Sequence, residues 1–117
     1  MNRPSIKTAI PKKRYKLGEF LIVILGDIES GDNTKYRYIL AVVREGDEDP
    51  GLYLTVEKQV GSQALSREYA ISLIMEDGAE DLGSSTRWGN IDEFASEGLR
   101  IVQTVLNLDD EEVRRLM

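Results

Sequence analysis

Residues 20–58 read FLIVILGDIESGDNTKYRYILAVVREGDEDPGLYLTVEK, and the fold turns on how this stretch divides. Residues 20–25 are an unbroken apolar run stopped by Gly26-Asp27, which suits a strand buried on both faces, by a helix on one and a further layer on the other. Ser30-Gly31-Asp32-Asn33 is a turn cluster, residues 36–44 make a second strand, and residues 46–51 turn again. The third segment, 52–58, alternates cleanly. Leu52, Leu54 and Val56 share one face and Tyr53, Thr55 and Glu57 the other, the pattern of a half-buried strand.

Downstream, 61–67 is a polar connection and 69–75 a fourth strand closed by Glu76-Asp77-Gly78. Residues 82–88 read as a fifth strand or an irregular edge. Helix grammar then takes over. Asn90 can cap, Glu93 stands three residues on, and Phe94, Gly98, Ile101, Val102 and Val105 fall on one helical face. Gly98 on that stripe implies close approach of the helix to the sheet. A break near Asn107 precedes a second capping signature, Asp109 with Glu112 and a Leu108–Val113 staple. Strands joined by turns and followed by helices predict an α+β fold: an antiparallel β-meander of four to five strands, then a C-terminal helix and a short terminal helix.

Upstream, residues 1–16 contain Pro4 and Pro11, lack an apolar period and read as an extended or mobile basic arm, with 17–117 as a single domain. The charge is lopsided. Residues 1–18 hold six basic side chains and no acid, whereas the remaining 99 hold 9 basic and 21 acidic, so a net charge of −6 conceals a +6 arm on a −12 body. At 117 residues and 41% hydrophobic content the chain is long and apolar enough for one core. It has no cysteine and no histidine, which removes disulfides, thiolate nucleophiles, Cys/His zinc sites and Ser-His-Asp triads. A carboxylate or lysine with a shifted pKa is the remaining acid–base option. The longest apolar run is far short of the roughly 20 residues of a membrane span, and the basic start lacks the apolar stretch of a secretory signal. The expected location is cytoplasmic, with no membrane association and no cofactor.

Two features carry candidate chemistry. Lys12, Lys13, Arg14 and Lys16 can neutralise phosphates or lie on the protein's own acidic body. Arginine alternates with aromatics at Tyr36-Arg37-Tyr38, at Arg67 near Tyr69 and at Arg87-Trp88, an arrangement that can stack bases while tracking a backbone. Tyr36 and Tyr38 also share a face with Leu40 and Val42, so a core role is the favoured reading. The acidic groups at 47–49, 76–77 and 80–81 match no calcium loop and read as turn solvation. Residues 78–83 have the G-x4-G spacing of a phosphate loop but lack its lysine, and Glu80 and Asp81 would repel phosphate.

The order of a basic arm, an antiparallel meander and a helix that breaks before Leu108-Asp-Asp-Glu-Glu-Val-Arg-Arg-Leu116 resembles the single-stranded-DNA-binding transcriptional regulator fold of the Whirly and transcriptional-coactivator type. The resemblance covers most of residues 12–117. It implies dimers or larger rings, single strands bound across the sheet, and contacts from Tyr36, Arg37, Tyr38, Arg67 and the arm residues Lys12, Lys13, Arg14 and Lys16. Three functions follow for comparison: a non-catalytic module for single-stranded DNA or RNA, a homo-oligomer by the resemblance; an acidic protein-interaction domain with a basic partner and no nucleic acid; and a carboxylate enzyme.

Overall fold

The computed structural model describes residues 3–31, 34–58 and 69–116. Among the described residues the chain is α+β, an antiparallel sheet of seven strands with a helix on one face. The strands are β1 (Ile6–Leu17), β2 (Phe20–Ser30), β3 (Tyr36–Arg44), β4 (Leu52–Lys58), β5 (Tyr69–Met75), β6 (Gly78–Ser85) and β7 (Val113–Arg115); the helix, α1, is Ile91–Val105. Their spatial order is β6-β5-β4-β3-β2-β1-β7, so β1 to β6 form a meander and β7 returns to the outside of β1. Seven strands stand where four to five were expected. The additional ones are β1 and β7, and the weak fifth segment shifts upstream to become β6, followed by a 3₁₀ turn at Thr86–Gly89.

The first correction concerns the basic arm. Residues 6–16 belong to β1, so the boundary expected at 16/17 falls inside a strand. Leu17 pairs with Phe20 across a Gly18-Glu19 loop, and Gly18 has φ +57°, the value wanted at the first position of a type II′ hairpin turn. Tyr15 and Leu17 point into the core. Pro11 is tolerated because β7 pairs only with Tyr15 to Leu17, leaving the outer side of β1 without a strand at Pro11.

This hairpin is bent. Register shifts interrupt β1 between Ile6 and Thr8, Thr8 and Ile10, and Pro11 and Lys13, and Asp27 takes a left-handed φ of +47°. The bend carries the far end of the hairpin over the sheet face opposite α1. Ile28 packs there with Ile39, Ala41, Tyr53 and Ile74, and Arg3 comes within 3.5 Å of Asp49 in the β3–β4 turn. Burial raises the pKa of the Tyr53 hydroxyl, with Arg3 pulling the other way. Both faces of the central strands are therefore covered, as the apolar run at 20–25 requires.

The main core lies under α1. Leu17, Ile22, Ile24, Leu40, Leu54 and Val56 are fully buried there against Phe94 and Val102. Phe94 stacks on Tyr38 with centroids 5.9 Å apart and planes 11° from parallel. Gly98 faces the sheet so closely that an added Cβ would lie 2.9 Å from Leu40 Cδ1, which is why the stripe has a glycine.

The helix starts where the cap signal placed it. The Asn90 Oδ1 accepts from the backbone N–H groups of Asp92 and Glu93. The reciprocal half of the box is absent: the Glu93 carboxylate pairs with Arg87 at 3.5 Å, and the Asn90 N–H donates to the Arg87 carbonyl. Replacing Asn90 by alanine orphans two donors and is expected to cost about 1 kcal/mol, a fall in melting temperature of roughly 4 °C. Thermal unfolding followed by circular dichroism checks this, and an unchanged midpoint would mean water replaces the cap at no cost.

At the other end Asn107 takes φ +59°, and its N–H and that of Leu108 reach back to Thr104 and Gln103, closing a Schellman motif. The terminal helix expected at 108–113 is not formed. The Asp109 carboxylate accepts from the Thr104 hydroxyl instead of capping, and Gln103 Nε2 donates to the Glu111 carbonyl. A helix of one turn closes few backbone bonds for its nucleation cost, and four successive acids at 109–112 repel one another. Pairing Val113–Arg115 on the open edge of β1 offers ladder bonds and partly buries Val113.

Candidate interaction surfaces

The bent hairpin decides the fate of the basic residues. Lys12 Nζ lies 2.7 Å from Asp27 Oδ2, and its hydrogen bond holds the Asp27 carboxyl below the usual value, assisted by the charge of Arg37. Lys13 Nζ lies 3.0 Å from Asp92 in the first turn of α1, with only 14% of its side chain exposed. Lys16 pairs with Glu45, and outside this group Lys7 pairs with Glu29 and Arg3 with Asp49. Exposed pairs of this kind add little stability, but they cancel charge locally. The four residues do not form one patch, because Lys12 and Lys13 straddle a register shift and reach acids on different elements. Arg14 is exposed and has no ion pair among the described residues; its carbonyl accepts from the Leu116 N–H.

The aromatic residues are also separated. A register shift between Tyr36 and Tyr38 sends them to opposite faces, contrary to simple alternation. Tyr38 is buried under α1 on Phe94, whereas Tyr36 packs half-buried against the second cluster. Arg37 between them is exposed, with its guanidinium 5.1 Å from the Tyr38 ring centroid and its Nε donating to the Gly89 carbonyl at 3.4 Å. Arg87 lies likewise 5.1 Å from the centroid of Trp88, which is itself buried. Thus Lys12, Asp27 and Arg37 come together, while Tyr38 presents its face to Phe94 rather than to a ligand. Arg67 lies outside the described residues.

The acids are arranged differently. Between residues 76 and 86 the chain has four acids, Glu76, Asp77, Glu80 and Asp81, and no base. All four are exposed on the β5–β6 hairpin, and none makes an ion pair among the described residues. Glu76 and Asp77 occupy the β5–β6 turn, in keeping with turn solvation, whereas Glu80 and Asp81 lie on β6, the outermost strand, a placement that linear order does not reveal. β6 has no strand beyond it among the described residues. Beside it a groove of about 330 Å³ opens between β5, β6 and α1, with Leu73, Leu82, Ile101 and Val105 among its lining and Glu80 and Glu97 at its rim. Arg100 bonds Glu97 and holds its carboxyl below the ordinary range, so Glu97 is compensated and Glu80 is not. Among the described residues no three carboxylates gather closely enough to hold a metal ion, and no helix is long and apolar enough to cross a membrane.

No protein-family model matches the chain, and neither a curated protein nor a solved structure matches it.

Proposed function

We propose that the chain is a non-catalytic binding module that recognises a basic segment of a partner protein. One contrast supports this reading most: the lysines of β1 are neutralised within the molecule, whereas the acids of the β5–β6 hairpin are not. The external field is therefore that of the acidic body, which attracts cations and repels polyanions.

The second reading is a module for single-stranded DNA or RNA, as the Whirly-type resemblance implies. It draws on Arg14 and Arg37, which are both exposed. It lacks a stacking platform, because Tyr38 and Trp88 are buried and base–aromatic stacking supplies much of the affinity for single strands.

Fluorescence anisotropy separates the two. Labelled oligolysine peptide, single-stranded DNA and single-stranded RNA are each titrated with the protein at low and near-physiological salt. Binding of the peptide alone, weakening as salt rises, is the expected result. Binding of either nucleic acid with a steep salt slope, and none of the peptide, would overturn the proposal in favour of the second reading.

A further inference from the structure

We propose that the groove between α1 and the β5–β6 hairpin seats an amphipathic helix of a partner protein, with its apolar stripe on the groove floor and a row of lysines or arginines turned towards Glu80. This rests on the reading of the chain as a module for basic protein segments, and it adds where such a segment sits and in what conformation.

One helix does not cover the whole face of this sheet. α1 runs along β3: Phe94 stacks on Tyr38, Gly98 lies against Leu40 and Leu54, and Leu106 lines one hollow with Val42. Helices packed side by side lie about 8–10 Å apart, which is roughly two strand spacings. A second helix beside α1 therefore falls over β5 and β6, where the groove of about 330 Å³ lies. A further hollow of about 290 Å³ shares Leu73 and Glu80 with it and continues to Met75 and Asp77. Along α1 the lining runs from Glu97 to Val105, about 12 Å at 1.5 Å per residue, the length over which a helix presents anchors at i, i+3, i+4 and i+7. Leu82 is 37% exposed, and Ile101 and Val105 are half-buried, so all three have apolar surface left to cover.

The rim selects the occupant. Glu80 stands opposite Leu73 and so faces α1, whereas Asp81 stands opposite Ser72 and faces away. Glu80 and Asp77 are exposed and make no ion pair among the described residues. On the α1 side Glu97 is already held by Arg100. A cation gains on the β6 flank and not on the α1 flank, so the helix that fits carries its basic residues along one side of its stripe. A helix also suits this backbone better than a strand. Leu82 and Gly83 stand together opposite Ile71 in a bulge, and the Gly83 N–H donates to Asp81 Oδ1 at 2.8 Å, so β6 offers no regular ladder. A helix arrives with its own backbone bonds closed and needs only side-chain contact. A second copy does not supply it. Its α1 carries Asp92, Glu93 and Glu97 against Arg100 alone, and buries its apolar stripe on its own sheet.

The test uses the full chain and two labelled peptides of identical composition. One carries leucines at i, i+3, i+4 and i+7 with lysines along one side; the other is scrambled so that no stripe forms. The striped peptide is expected to bind saturably and to gain helicity by circular dichroism, and the scrambled one to bind at least about tenfold more weakly. Glu80→Lys should weaken the striped peptide about tenfold, and Leu82→Ser about fivefold. Glu112→Lys makes the same change of net charge on an exposed residue beside β7, at the opposite end of the sheet, and should alter binding less than about twofold. If both peptides bind alike and the two charge reversals weaken them equally, the groove is not the site, while the basic-partner reading survives. If neither peptide nor oligolysine binds, both fall. Concentration-dependent dimerisation that Leu82→Ser abolishes, seen by sedimentation, would assign the groove to a second copy and overturn the inference.

Discussion

Replacing Phe94 by alanine is expected to remove about 3–5 kcal/mol, a large share of the roughly 5–15 kcal/mol that holds a domain of this size together. Phe94 is fully buried at the point where α1 meets the sheet, stacked on Tyr38 and next to the close approach at Gly98. Truncation removes the ring contact and leaves a cavity between a rigid sheet and a helix capped at both ends, neither of which can collapse to fill it. Urea unfolding should show the midpoint falling by roughly 1.5–3 M with an unchanged slope. A fall below about 0.5 M would mean that α1 repacks, and the account of the core would need to change.

The second large effect comes from adding atoms. Gly98→Leu is expected to destabilise by about 3 kcal/mol, since the site already places a Cβ 2.9 Å from Leu40 Cδ1 and 3.5 Å from Leu54 Cδ1. Gly98→Ala is the informative intermediate. Helix propensity favours alanine by about 1 kcal/mol, while overpacking costs about 1–3 kcal/mol, and Leu40 is fully buried with little freedom to swing aside. Packing therefore wins and the alanine variant should be less stable than the parent. If shortening Leu40 to valine in the same molecule restores part of the loss, the two positions are coupled through this contact. Additive losses would place the strain elsewhere.

The parts of the fold legible in the sequence are those whose signal is local. β3, β4 and β5 occupy the segments marked by apolar runs between turns, Asn90 caps α1, and the chain breaks at Asn107. What was not legible depends on distant partners. β6 has the composition Gly-Ala-Glu-Asp-Leu-Gly-Ser-Ser and owes its strand conformation to β5, its partner across a short turn. β1 carries two features that argue against a strand, Pro11 and a dense positive charge, yet it pairs with strands on both sides over Tyr15 to Leu17. The signal at 108–113 satisfied the grammar of a helix start, but the residues that would continue the helix pair with the distant β1 as β7.

The candidate residues show the same limit more sharply. Lys12, Lys13 and Lys16 look like a cationic tract because their neighbours in sequence are basic, but their neighbours in space are Asp27, Asp92 and Glu45. Linear charge counting cannot detect such cancellation. Tyr36 and Tyr38 are two apart, and one extra residue in β3 opposite Glu57 and Val56 separates them to the two faces. Arg37 alone of that trio remains exposed.

The ladder between β1 and β7 has a bearing on time as well as shape. Every other pairing in the sheet joins strands that are consecutive in sequence, so the meander can grow by hairpin steps in the order in which the chain emerges. Arg115 and Tyr15 are 100 residues apart in sequence, the longest separation paired in the sheet. A pairing with that loop-closure cost is expected to contribute little to how fast the domain forms. Its three-residue ladder acts on the reverse process, holding shut an assembled sheet whose first strand would otherwise be the earliest to peel away.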